Sequence, residues 1–117
     1  MKSEIGLHDR TKKFHIAVIK LCETLPRNAA SFEIAKQLIR SAGSVGANCR
    51  AMARAKSTKD FINKTAIVIE EADESHYWLE VLKEVLPINN NDTLDKLINE
   101  ANELTAIFVS ISKKSKY

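Results

Sequence analysis

Glu70, Glu71, Asp73, Glu74 and His76 crowd one short stretch of the chain, and carboxylates beside a histidine are the raw material of a metal site. Asp73 and His76 have the i, i+3 spacing of the Glu-x-x-His pair that grips iron in di-iron bundles. Such a centre needs the motif twice, with a further carboxylate from each of two other helices. No second pair of this kind occurs, and only Glu23 and Glu33 could serve as interior carboxylates from the two helices before it. The run therefore reads as a solvated acidic face, and no metal ligand is assigned. Cys22 and Cys49 are the two thiols. A catalytic thiolate needs a base and an electropositive setting. Arg50 adjoins Cys49, but no histidine is close in sequence. Both cysteines read as small buried hydrophobes, and a disulfide is not expected in a cytosolic chain. His8, His15 and His76 are scattered without triad spacing, and His15 and His76 are expected at polar edges of the fold. With no nucleophile–base pair and no phosphate loop, the sequence assigns no catalytic or cofactor-binding residue and implies no small-molecule substrate.

What must position these residues is a set of long helices. The 117 residues make a single domain, 1–117, of ordinary globular composition: 44% hydrophobic and 28% charged. Three Gly and two Pro leave few helix breakers. No apolar run approaches the roughly 20 residues of a membrane span. The opening MKSEIGLHDR has no apolar stretch of signal-peptide type, so the expected location is cytoplasmic.

The spacing of Phe14, Ala17, Val18, Leu21 and Leu25 predicts a first helix over 9–25, capped by Asp9 and ended by Pro26. A second is predicted over 31–55, capped by Ser31, with a stripe of Ala35, Leu38, Ala42, Val45, Cys49 and Met52. Gly43 and Gly46 fall inside it, each costing about 1 kcal/mol relative to Ala, and a break near Gly43 is the alternative. One continuous helix is preferred, because Ser41 to Ala47 offers a small-residue surface on which a neighbour could pack close. Ser44 and Asn48 on that surface are expected to make a buried interhelical hydrogen bond. The third helix follows a Ser57 or Thr58 cap and ends before Pro87. Leu79, Leu82 and Leu86 fit a core, while Trp78, Val81 and Val85 form a second apolar face about 100° away. With Tyr77, that face is read as an oligomer interface. The turn PINNND precedes a fourth helix over 93–113, capped by Asp92. Short connections imply an all-α, antiparallel up-down-up-down four-helix bundle. If the turn between helices two and three centres on Lys56, Arg40 comes within reach of Glu71, Asp73 or Glu74.

That topology gathers charge. The starts of helices one and three share a pole with the ends of helices two and four. Lys2, Arg10, Lys12, Lys13, Arg50, Arg54, Lys56, Lys59, Lys64, Lys113, Lys114 and Lys116 fall there against Glu4, Asp9 and Asp60, a surplus of nine positive charges. The remainder carries six cations and twelve acids, which restores the net +3. Helix dipoles account for Arg50, Arg54, Lys113 and Lys114 at C-termini, but not for Lys12, Lys13 and Lys59 in or near first turns. Arg10, Lys12, Lys13, Arg50, Arg54, Lys56, Lys59, Lys64, Lys113 and Lys114 are therefore read as contacts to an RNA or DNA backbone. Aromatic platforms for stacking bases are nearly absent there, so sequence preference is expected to be weak. The alternative is a protein-interaction module without direct nucleic-acid contact.

Four segments carry a family resemblance: Ser44-Val45-Gly46-Ala47-Asn48, Ser57 through Asp60-Phe61, Glu71-Ala72-Asp73-Glu74 and Tyr77-Trp78-Leu79. Together they resemble the small four-helix-bundle proteins linked to 23S ribosomal RNA intervening sequences. Relatives carry Arg-Glu-Ala after the Ala-Asn-x step, whereas Arg50-Ala51-Met52 stands here. The resemblance implies a ring-like homo-oligomer, commonly a pentamer, with no enzymatic activity and a suspected affinity for nucleic acid. It also extends to accessory proteins of retroelement reverse transcriptases.

Overall fold

The computed structural model describes residues 2–87 and 91–115, with backbone alone for residues 2–5. The expected lysine at 116 and turn residues 88–90 lie outside the described residues. Among the described residues there are four helices and no strand: α1 Lys2–Cys22, α2 Ala29–Ala53, α3 Thr58–Val85 and α4 Asp92–Ser115.

The helix starts correct three of the expected caps. Asp9 lies inside α1, because Leu7 and Thr11 are buried and carry the core stripe back beyond it. Asn28, not Ser31, caps α2: its Oδ1 accepts from the Ser31 N–H at 2.8 Å, and Ser31 itself is buried. At α4 the Asn91 Oδ1 accepts from the Leu94 N–H at 3.0 Å, while Asp92 is already helical. The α3 start follows the sequence, with Ser57 Oγ accepting from the Asp60 N–H at 3.0 Å. At its other end α1 stops at Cys22, earlier than expected, and the Thr24 hydroxyl donates to the Leu21 carbonyl at 2.7 Å.

Helix α1 packs on α2 and α4, and α3 packs on α2 and α4. Phe14, Val18, Leu38, Val45, Val68, Leu79, Leu82, Leu104 and Phe108 fill the centre and are all but sealed from solvent. Each such side chain contributes about 1.5–3 kcal/mol of transfer free energy, against the entropy of ordering it.

Helix α2 runs unbroken through Gly43 and Gly46. The physical reason is α1. A Cβ on Gly43 would lie 3.0 Å from His15 Nε2, and one on Gly46 would lie 3.6 Å from the Thr11 carbonyl oxygen. The small residues admit a neighbouring helix, as expected. Asn48, however, donates to Ser44 O and Oγ within its own helix, both at 3.0 Å, so the expected interhelical bond is not made. The polar link to α3 is instead Ser41 with Ser75, whose buried hydroxyls lie 2.9 Å apart.

Candidate nucleic-acid interface

The chain leaves α2 at Arg54, its C-cap, and re-enters helix after Ser57. This tight reversal folds the end of α2 against the start of α3. Arg50, Arg54, Lys56 and Lys64 then line one open concavity with Ala47, Ala51, Ser57 and Asp60. Lys59 is exposed nearby in the first turn of α3. Among the described residues none of these five cations is in an ion pair. Asp60, the acid in the concavity, has its carboxylate engaged by the Lys56 N–H at 3.1 Å. The α2 dipole favours Arg50 in its last turn, but the α3 dipole opposes Lys59 in its first.

A second cavity brings the helix ends together. It is lined by Leu7 and His8 of α1, Cys49, Met52 and Ala53 of α2, Phe61 of α3, and Phe108 and Ile111 of α4. Lys114 lies in a neighbouring groove between α1 and α4, with Arg10 and Ile107. Lys12, Lys13 and Lys113 are exposed. Lys13 Nζ is 3.0 Å from Asp9 Oδ2 on its own helix.

Arg10 stands apart from the other cations. Its Nε donates to Glu100 Oε2 at 2.7 Å, and its Nη2 donates to Glu100 Oε1 at 2.6 Å and Glu103 Oε1 at 3.2 Å. These bonds hold its pKa above the ordinary arginine value, against the opposing effect of burial. The guanidinium fixes α1 on α4 instead of facing solvent alone.

The acidic stretch of α3 divides in the same way. Arg40 donates to Glu71 at 2.8 and 3.3 Å and also to Glu74, while Asp73 is exposed outside the clamp. The Trp78 indole N–H donates to Glu74 at 3.1 Å. Glu74 is held below the usual glutamate pKa, first by the Arg40 hydrogen bond, with Trp78 adding to it. His76 Nδ1 lies 3.3 Å from Glu80 Oε1. Burial pushes the Cys22 thiol up to about 11 and raises that of Cys49, which a hydrogen bond with Thr11 partly offsets. Among the described residues no three metal-ligating side chains converge.

Of the expected interface residues, Tyr77 is 56% and Val85 51% exposed. Trp78 and Val81 are half-buried against the core. The Tyr77 and Trp78 rings meet edge to face, 5.0 Å apart. The sequence reading missed Phe32, which is 74% exposed, and Ile16, which is 41% exposed. The available signal was that Phe32 falls outside the Ala35–Leu38–Ala42 stripe. No described helix is long and apolar enough to cross a membrane.

The family described as 23S rRNA-intervening sequence protein matches residues 4–110. The fold is also similar to a crystal structure of a protein with unknown function from the S23 ribosomal protein family of Bacteroides thetaiotaomicron. The TM-score is 0.82 at 34% identity, covering 92% of this chain and 98% of that one. No curated protein matches the chain.

Proposed function

The chain belongs to the 23S rRNA-intervening sequence protein family, and from that premise we propose a non-enzymatic, cytoplasmic homo-oligomer that binds an RNA or DNA backbone. The observation that carries this reading is the concavity at the α2–α3 turn, where Arg50, Arg54, Lys56 and Lys64 converge without ion-pair partners among the described residues. Four cations around one open surface match a phosphate backbone better than any compact substrate.

The helices run up-down-up-down in this reading. Lys83 near the end of α3 meets Asp95 near the start of α4 at 2.9 Å, and the cavity beneath the basic turn draws on both ends of the chain. Lys12, Lys13, Lys59, Lys113 and Lys114 extend the basic surface. Arg10 contributes to the fold and not to the contact. A ring of copies, a pentamer by the family resemblance, joined through Tyr77, Trp78, Val81 and Val85, multiplies the field at this pole.

Binding to a generic RNA and to a duplex DNA, followed by fluorescence anisotropy across a salt series, tests the proposal. Four phosphate contacts predict a slope of log K against log salt near −3 for each engaged protomer, by the counterion-release rule of about −0.7 to −0.9 per contact. No binding at low salt, or binding indifferent to salt, would overturn it in favour of a protein partner.

A further inference from the structure

The aromatic side chains missing from the basic surface lie just beneath it. Phe61, in the first turn of α3, and Phe108 of α4 line a cavity of about 180 Å³. Buried Cys49, Met52 and Phe108 form its floor. Half-buried His8 and Phe61 form its rim with exposed Ala53, the last residue of α2, so it opens at the basic pole. None of its described lining residues is acidic.

Cations stand on both sides of this opening. On one side is the concavity at the α2–α3 turn: Arg54 follows Ala53 in the chain, and Lys64 lies one helical turn beyond Phe61. On the other side is the α1–α4 groove, which shares Leu7 and Ile111 with the cavity and holds Lys114. A strand laid from Arg54 and Lys56 toward Lys114 therefore crosses the mouth, with cations for its phosphates on either side and apolar ground between. The cavity exceeds the roughly 150 Å³ that admits a benzene ring. A flat ring inside it gains dispersion contacts with the lining. His8 is the polar side chain placed to meet the edge of such a ring, because the Cys49 thiol already bonds Thr11.

We propose that this cavity takes an unstacked nucleobase from a strand whose backbone lies on the basic pole, which makes single-stranded nucleic acid the preferred ligand. The inference rests on the backbone-binding reading above and deepens it. A base in a duplex is paired and stacked, and must be extruded before it can enter such a pocket. In a single strand the base is already available, and stacking on aromatic side chains tolerates any base. With His8 alone to address a base edge, the site selects the form of the strand more than its sequence. Phosphate contacts alone give no advantage to a strand that carries bases over one that does not.

Fluorescence anisotropy of the full chain at low salt tests this with three probes, each made as RNA and as DNA: a short single strand, an abasic strand of the same length and a duplex of that length. The two single strands carry the same phosphates and differ only in their bases. The wild-type chain should bind the base-bearing strand about tenfold tighter than the abasic one. Ala53→Trp sets an indole over the mouth from an exposed position, and should remove that preference while leaving affinity for the abasic strand and the duplex unchanged. Phe61→Leu keeps an apolar rim without the ring, and should remove part of the preference. Circular dichroism verifies the fold of both variants. Equal binding of the two single strands by the wild type overturns the cavity site while the backbone reading stands. A preference that survives both variants, or an Ala53→Trp chain that loses the abasic strand as well, also overturns it. Failure of the wild type to bind any of the probes overturns both readings.

Discussion

Arg40 Nη1 lies 2.8 Å from Glu71 Oε2, and its Nη2 reaches both Glu71 and Glu74, so one guanidinium of α2 clamps two carboxylates on successive turns of α3. Arg40 is about half exposed, and solvent screening limits the clamp to about 0.5–1 kcal/mol. Its pH dependence has a definite sign. The folded Glu74 titrates below its unfolded value, so its contribution is complete above about pH 4.3 and is lost as pH falls through the depressed folded value. Arg40→Ala is therefore expected to lower Tm by about 2–4 °C near neutrality. The gap from wild type should narrow steadily below pH 4.3 in thermal melts. A gap that stays constant down to strongly acidic pH would show that Arg40 acts through packing alone.

Gly43 and Gly46 should respond differently to alanine. Helix propensity offers about 1 kcal/mol at either position. At Gly46 the new Cβ meets the Thr11 carbonyl oxygen at 3.6 Å, an ordinary contact, so Gly46→Ala should keep most of that gain. At Gly43 it would come within 3.0 Å of His15 Nε2, and the ring must shift. Gly43→Ala should gain less than Gly46→Ala in urea titrations, and the difference should vanish when His15→Ala is added. Equal gains in the wild-type background would show that the His15 ring yields without cost.

The thiols should be slow. With its pKa near 11, Cys22 is thiolate in only about one molecule in ten thousand at pH 7, and burial also raises Cys49. Reaction with a disulfide reagent should be at least about tenfold slower in the native chain than in urea, where thiols return to about 8.5. Rapid native labelling would contradict the burial of Cys49, or the raised pKa of the half-buried Cys22.

The Arg40 clamp was legible in the sequence because a turn near Lys56 fixes which residues of α2 and α3 stand level. Continuity through Gly43 was legible for a related reason, since clustered small residues promise a close neighbour. The caps were not. Asn28 and Ser31, or Asn91 and Asp92, can all accept from a helix N–H, and the choice depends on the direction in which the chain enters. The role of Arg10 was hidden for another reason. Its partners Glu100 and Glu103 are some ninety residues away, and only the packing of α1 on α4 brings them near. Sequence position assigned Arg10 to the basic pole, whereas geometry assigns its charge to the fold.

That distinction yields the most discriminating test of the proposed interface. Arg10 and Arg54 are both arginines at the same end of the molecule, and a simple count of charge treats them alike. Arg10 is bidentate to Glu100 and only about a third exposed, so Arg10→Gln should cost about 1 kcal/mol of stability, solvent screening included. It should leave the salt slope of nucleic-acid binding nearly unchanged. Arg54 has no ion-pair partner among the described residues and lines the basic concavity. Arg54→Gln should leave Tm within about 2 °C and reduce the magnitude of the slope by about one. Lys56→Gln and Lys64→Gln should follow Arg54. If Arg10→Gln instead flattens the slope as much as Arg54→Gln does, the guanidinium must leave Glu100 on binding, and the interface extends across α1 to α4.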